Sequence, residues 1–592
     1  MAEMWWQQII PSLGPWLERA AVRWQAFQAK LPRLPIRWAL LLSVVALAAI
    51  AFLIRCLHLF DSNHYYIVSP DSYFFHWLAG RVMAGQGPPA DALSLANYHL
   101  HSGLAYPLGY LAEGVGSVFG LSSADALTLV AKVLSPVIGV VSAVLIYLFA
   151  ARICNRRIGL LAALTWVVLL NPVVLGSAGF LDRDGLSLLL FMAGAFLFYL
   201  SGAWHIKLRG RDIGWLIAGV GVAVIEVLLY MEWSFVGVVL LLAVIAVYCV
   251  VRFVLGYLDR MESEPDIRRR LIAAIGTVNW RALAFIIVVN VVAAGLSFHQ
   301  IPSWYRFASL IVGMRTGEST SEEQGLSVGD LTSYQLFFIP MVVALYVAWK
   351  KRAESNIFSS CWFIALLVLA IFSKRILLYA APAACLLSGV GLAFLWDWAK
   401  QGLFHGLKRA GMVVLLFLAL VLSFSLAASF EAVPGMSPDR GWQSALAYLR
   451  DETPKDSIIV SNWGWGYWIL DLGQRTPLVD NGYYGYDSER LHDVGIAYYT
   501  ADPAEAAQVL RKYGASYLVF SQLDLKIPLT IMGWANVGEV LTDFPADSLV
   551  VRCLNGEFES GGGLEVVYRS PPEPNAAPSS KANVVILRLT QT

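Results

Sequence analysis

Between residues 37 and 429 the chain is a succession of apolar stretches long enough to cross roughly 30 Å of hydrocarbon, and this feature limits its fold most severely. In lipid every backbone N–H and C=O must be satisfied inside its own segment, so such stretches fold as helices. Eleven are legible, at 37–59, 123–150, 158–178, 185–203, 214–231, 234–256, 281–298, 334–349, 357–372, 376–396 and 411–429. The stretches at 334 and 357 are short and must stand upright. Composition agrees: with 58% hydrophobic and 14% charged residues, the polar surface is too small to coat a soluble body of 592 residues. A formal charge of +1 supplies no basic excess for a nucleic-acid backbone and no acidic tail to mimic one. The six cysteines are scattered one per segment, which suggests neither a disulfide frame nor a four-thiolate metal site.

Orientation follows from the basic residues. Arg19, Arg23, Lys30, Arg33 and Arg37 precede the first span, and Arg152, Arg156 and Arg157 follow the second, so these ends are cytoplasmic. Alternation puts Lys207, Arg209 and Arg211, then Arg268, Arg269 and Arg270, then Lys350, Lys351 and Arg352, then Lys400, Lys408 and Arg409 on the same side. Residues 1–36, with Trp5, Trp6 and Trp16 among basic residues, read as an amphipathic stretch on the inner surface rather than a cleavable signal. The transmembrane unit is then 37–430, with external loops 60–122 and 299–333 and a short outer turn at 180–184. Residues 431–592 form a separate external soluble domain of mixed α/β type. Its helical spacing falls at 441–450 and 503–512, and its short strands are expected at 457–460, 517–520, 549–552, 564–568 and 584–589.

Four acids fall on the outer side. Asp182 and Asp184 flank Arg183 at the outer end of a span, and could address one cation only if the turn there is not helical. Asp71, in Ser69-Pro70-Asp71-Ser72-Tyr73, would ordinarily be a turn or helix-cap residue, and Glu322, in Ser319-Thr320-Ser321-Glu322, part of a capping box. The same side holds Ser373-Lys374-Arg375, the one basic cluster that breaks the inside-positive pattern. Carboxylates without thiol partners suit a hard cation such as Mg²⁺ or Mn²⁺, and an exposed arginine suits a phosphate. The combination points to metal-assisted transfer from a phosphate-activated lipid. In the first loop His99 and His101 offer a weaker zinc alternative beside His64 and His76. Finally, Ser461-Asn462-Trp463-Gly464-Trp465-Gly466-Tyr467-Trp468 follows the first strand of the external domain. If extended, it turns Trp463, Trp465 and Tyr467 to one face, as a peptide-binding shelf or as an aromatic patch that seats the domain on the membrane.

In order and spacing these motifs resemble the catalytic subunit of oligosaccharyltransferase, in its single-subunit prokaryotic form. Ser319-Thr320-Ser321-Glu322 is similar to that family's SVSE-type loop motif, Asp182-x-Asp184 to its DxD motif, Asp71 to its first-loop aspartate, and Arg375 to its pyrophosphate-facing arginine. The segment 461–469 stands where the family carries SWWDYGYWI. The resemblance implies a polytopic α-helical membrane protein of the C-type glycosyltransferase fold, with about eleven to thirteen transmembrane helices, followed by the soluble α/β domain. It implies that an oligosaccharide is moved en bloc from a lipid-(pyro)phosphate donor to the side-chain amide of asparagine in an Asn-x-Ser/Thr acceptor. The reaction would be inverting and run in a single subunit on the external face of a prokaryotic plasma membrane. By the same resemblance Asp71, Asp182, Asp184 and Glu322 hold Mg²⁺ or Mn²⁺, Asp71 and Glu322 engage the acceptor amide, and Arg375 binds the donor. Asn462, Trp463, Gly464 and Met532 would contact the acceptor peptide.

One departure stands out. The family's Trp-Trp-Asp triplet, which binds the hydroxyl of the acceptor's Ser/Thr, is Asn462-Trp463-Gly464 in this chain. Losing a hydrogen bond to that hydroxyl weakens recognition by roughly 0.5–1.5 kcal/mol. Relaxed acceptor choice is therefore expected unless Asn462 replaces the bond. Two other readings remain: a lipid-phosphosugar transferase acting on hydroxyl or lipid acceptors, and a lipid-glycan transporter.

Overall fold

The computed structural model describes residues 36–56, 67, 69–86, 104–169, 177–181, 183–200, 218, 221, 234–261, 263–275, 337–351, 354–371, 376–401, 437–480, 488–526, 544–572 and 582–590. The expected spans at 281–298 and 411–429, and that at 214–231 apart from positions 218 and 221, lie outside these residues, as do Asp182, Glu322, Arg375, Met532, His64, His99 and His101.

The first part of the chain is helical: α1 (Ile36–Cys56), α2 (Pro70–Met83), α3 (Ala105–Phe119), α4 (Ser123–Ile153), α5 (Arg156–Val168), α6 (Arg183–Leu200), α7 (Ser234–Leu258), α8 (Ile267–Ile275), α9 (Phe338–Lys351), α10 (Glu354–Ala370) and α11 (Leu377–Gln401). Among the described residues, α4 and the stretch Leu377–Trp398 of α11 are long and apolar enough to cross a membrane, and the apolar runs of α1, α6, α7, α9 and α10 are shorter. Leu47, Ala150, Ala162, Phe196, Val244, Ala344, Trp362 and Leu387 lie in one apolar core drawn from eight of these helices. Close approach depends on small residues: a Cβ on Gly389 of α11 would meet the Ile158 carbonyl oxygen of α5 at 2.8 Å. At the ends of the same two helices Arg157 bonds Asp397 at 2.7 Å and lies over the Trp396 ring. α8 carries Arg268, Arg269 and Arg270 together with exposed Ile267, Leu271 and Ile272, the pattern of a helix lying along a membrane surface.

The C-terminal domain holds α12 (Arg440–Glu452), β1 (Ile458–Val460), a 3₁₀ turn (Trp463–Trp465), α13 (Gly466–Asp471), β2 (Thr476–Pro477), α14 (Ser488–Tyr499), α15 (Pro503–Lys512), β3 (Tyr517–Ser521), α16 (Leu549–Leu554), β4 (Ser560–Gly561), β5 (Leu564–Arg569) and β6 (Val584–Leu589). The strands form one sheet in the order β2-β1-β3-β6-β5-β4, parallel across β2-β1-β3 and antiparallel beyond. Both faces are covered. Alternation along β3 sends Tyr517 and Val519 to a cluster with Trp442 and Trp468, and Leu518 and Phe520 to one with Val494, Leu510 and Val550. Caps set the helix starts: Asp439 accepts from the Trp442 N–H and Asp502 from the Ala504 N–H.

Two local expectations fail. Residues 549–552, read as a strand, belong to α16, whose buried positions Leu549, Val550, Cys553 and Leu554 repeat at helical spacing. Their Leu-Val-Val start is too short to distinguish the two periods. Residues 463–468 are helical rather than extended, so Trp463, Trp465 and Tyr467 share no face: Tyr467 is buried while both tryptophans stay partly exposed.

Candidate active site

Pro70 at the first helical position presets φ for α2, and Asp71 follows in the first turn, where the helix dipole favours a carboxylate. Ser69 before it holds the left-handed conformation at φ 72°, a cost for a residue with a Cβ. The entry is tied down by Tyr73, whose hydroxyl donates to the Ile67 carbonyl at 2.7 Å. Asp71 is half-buried.

Asp184 lies in the first turn of α6, which begins at Arg183, so this member of the Asp-x-Asp pair is helical. The preceding turn is held by backbone bonds to two helices: the Ala178 N–H donates to the Arg55 carbonyl at 2.8 Å, and the Gly179 N–H to Lys132 of α4 at 3.2 Å. Ser135 of α4 adds a hydroxyl bond to the Phe180 carbonyl. Leu181 then enters the apolar cluster of Tyr73, Phe74, Trp442 and Trp468. That cluster gathers the Asp71 helix, the approach to the Asp-x-Asp pair and the aromatic turn of the C-terminal domain around one core. Among the described residues no three His, Cys, Asp or Glu side chains converge as a metal site; of the four expected ligands only Asp71 and Asp184 are within the described set. Both are oxygen donors on helix N-terminal turns, and hard oxygen donors suit a divalent cation of the Mg²⁺ class.

The aromatic turn is fixed from beneath by a buried carboxyl. Asp524 Oδ1 accepts from Asn462 Nδ2 at 3.1 Å and from Trp465 Nε1 at 2.7 Å, and Oδ2 accepts from the Ser521 N–H at 2.7 Å. Asn462 Oδ1 accepts from the Gly464 N–H at 3.0 Å, closing the 3₁₀ turn, and the Asn462 N–H donates to the Tyr498 hydroxyl at 2.8 Å. The Tyr498 hydroxyl in turn donates to the Val519 carbonyl at 2.8 Å. Burial pushes the Asp524 carboxyl up to about 7, against the downward pull of the bonds from Trp465, Ser521 and Asn462. Asn462 is 0% exposed with both ends of its amide engaged inside the fold, so its expected contact with an acceptor gives way to holding the turn. Trp463 and Gly464 remain open to solvent in part. Gly466 admits no side chain, because a Cβ would lie 2.5 Å from Asp480 Cα.

The turn and the helical domain meet along α2 and α13. Tyr73 packs edge-on to Trp468 at 6.4 Å, Phe74 lies 4.9 Å from Tyr467, and His76 Nδ1 sits 3.2 and 3.1 Å from the two Asp471 oxygens. Trp465 stacks on Trp468 at 4.9 Å, continuing the aromatic contact back to the turn. The aromatic segment therefore seats its domain against α2, a protein contact and not the membrane contact that the sequence suggested. Nothing in the residue pattern singled out Asp471.

No family model matches the sequence. The chain is 24% identical over 528 residues to dolichyl-phosphooligosaccharide-protein glycotransferase 1 of Pyrococcus furiosus, covering 75% of this chain and 52% of that one. Against the protein of the same name from Pyrococcus horikoshii it is 24% identical over 608 residues, covering 89% and 59%. It thus spans about half the length of the curated relatives it matches. Its fold matches the AglB oligosaccharyltransferase of Archaeoglobus fulgidus, solved with an inhibitory peptide and a dolichol-phosphate, at a TM-score of 0.67 and 15% identity over 90% of this chain and 80% of that one. A structure of that oligosaccharyltransferase with Zn and sulfate matches at a TM-score of 0.65 and 14% identity, over 89% and 79%. ArnT of Cupriavidus metallidurans matches at 0.50 and 15%, over 93% and 97%. The fold is thus the one shared by these AglB and ArnT structures, a helical domain followed by a mixed-sheet domain. Within that class the chain resembles the oligosaccharyltransferases, as its motifs imply.

Proposed function

We propose that this chain transfers an oligosaccharide from a lipid-(pyro)phosphate donor to the amide nitrogen of an asparagine side chain in an acceptor polypeptide, on the external face of a prokaryotic plasma membrane. What carries the reading is the single apolar cluster that gathers the Asp71 helix, the approach to Asp182 and Asp184, and the Trp463–Trp465 turn. Asp71, Asp182, Asp184 and Glu322 would hold a divalent cation, Mg²⁺ or Mn²⁺, which when bound neutralises charge developing on the leaving pyrophosphate. Arg375 would bind the same phosphates, a pairing that suits a planar guanidinium.

Asp71 and Glu322 engage the two amide hydrogens of the acceptor, weakening the conjugation of nitrogen with its carbonyl so that the lone pair can attack. The N–C1 bond forms as the C1–O bond to phosphate breaks on the opposite face, which inverts the anomeric centre. One amide proton passes to a carboxylate and the lipid pyrophosphate departs. The partly exposed Trp463 and Gly464, with Met532, would form the shelf for the residues after the acceptor asparagine. With Gly464 where the family has aspartate, the shelf lacks a carboxylate for a Ser/Thr hydroxyl, and a relaxed acceptor requirement follows.

The test uses the purified chain, a lipid-pyrophosphate oligosaccharide, and fluorescent peptides bearing Asn-x-Thr, Asn-x-Ala or Gln-x-Thr. Transfer to the first that is abolished by EDTA and falls by about 100-fold or more in Asp71→Ala and Glu322→Ala supports the reading. Transfer only to hydroxyl or lipid acceptors, or movement of donor across vesicles without transfer, would overturn it.

A further inference from the structure

We infer that the His76–Asp471 pair is a positioning device that makes metal binding at Asp71 and acceptor binding at the Trp463–Trp465 turn depend on each other; the inference rests on the function proposed above. The geometry is specific. His76 lies five residues beyond Asp71 on α2, and Asp471 closes α13, which begins directly after the turn. Nδ1 of the imidazole reaches both oxygens of Asp471, at 3.2 and 3.1 Å, and the two side chains keep 20% and 8% of their exposure. A doubly accepted bond at such burial locks the rotation of α13 about its own axis relative to α2.

Tyr73–Trp468 and Phe74–Tyr467 add contacts one turn earlier along both helices, so the seam is fixed at two levels. Aromatic contacts alone tolerate sliding. The His76–Asp471 bond sets the register, because removing either partner strands a buried polar group. A peptide settling on Trp463 and Gly464 stiffens the turn, and through Trp465 stacked on Trp468 it stiffens α13. With the pair intact α2 is held as well, and Asp71 meets the cation already aligned. With the pair broken the two events become independent. His76 touches neither cation nor peptide in this arrangement and acts only through the two elements it joins.

The experiment measures Mn²⁺ affinity of the full chain by EPR, with and without an Asn-x-Thr peptide, alongside melting temperature and acceptor KM. In the wild type the peptide is expected to tighten Mn²⁺ binding by about tenfold, within the usual range for coupled sites. In His76→Leu and Asp471→Asn the factor is expected to fall below about twofold, while Mn²⁺ alone still binds and KM for peptide rises. His76→Asn, whose amide nitrogen can stand where Nδ1 stands, should recover the coupling, which a loss of stability alone would not explain. Unchanged coupling in variants that melt like the wild type overturns the inference, and so does a wild type that binds Mn²⁺ without any effect of peptide. A wild type that neither binds Mn²⁺ nor glycosylates the peptide overturns the proposed function itself.

Discussion

At Gly464 a side chain has room. A Cβ there would meet only Asn462 Oδ1, at 3.7 Å, an ordinary contact, and the residue is partly exposed. Gly464→Asp is therefore expected to fold and to place a carboxylate where the related enzymes carry one. The ratio of transfer to Asn-x-Thr over Asn-x-Ala peptides should rise by about tenfold, the worth of one hydrogen bond to a charged acceptor. Equal ratios in wild type and variant would show that this position does not read the hydroxyl. Asp524 lends itself to a different measurement. Its folded value, raised to about 7 by burial, lies above that of an unfolded carboxylate, so the folded state holds a proton that the unfolded chain has released. Stability from this group is full at acid pH and is lost as pH rises through about 7, with a slope of about 1.4 kcal/mol per unit at most. Melting curves between pH 5 and 8 should show that decline, and Asp524→Asn should flatten it. The variant is also expected to loosen the turn, since an amide offers a donor to Asn462 Nδ2, Trp465 Nε1 or the Ser521 N–H, where a carboxylate offers only acceptors.

Among the elements, α5 and α11 pack with Gly389 against the backbone at Ile158, and the close approach leaves no space for a branched side chain. Gly389→Val should lower the melting temperature of the detergent-solubilised chain through an overpacking cost of about 1–3 kcal/mol; transfer activity per folded molecule should be spared. An unchanged melt would mean that these helices separate readily. Elements were read from the sequence with uneven success for identifiable reasons. Helices at 441–450 and 503–512 announced themselves through helical spacing, and in the fold each sets an apolar face behind an aspartate cap. Strands β1, β3, β5 and β6 carried β-branched runs. The 549–554 helix and the 463–471 segment misled, because a six-residue apolar run fits either period and glycines at 464 and 466 mimic an extended, open shelf. In the folded chain those glycines serve a tight turn and a close backbone approach instead.

For the molecule as a whole, the change from helices to a mixed sheet was expected from composition, because hydrophobic runs stop abruptly near residue 430. The motifs point to one site only as a set, in their order along the chain. What joins the two units was not: the bond between His76 and Asp471 spans 395 positions, and no local pattern marks residues that meet across such a distance. Nor does the sheet order follow the chain. β6, the last described strand, is inserted between β3 and β5 and pairs with one edge of each. During synthesis at the membrane, therefore, β3 leaves the ribosome with one edge bare and stays so while more than sixty further residues emerge. The sheet cannot close, and so cannot present a finished surface to α2, until β6 has been made. Completion of the face that meets α2 is thereby delayed until well after the helices of the first part have been made.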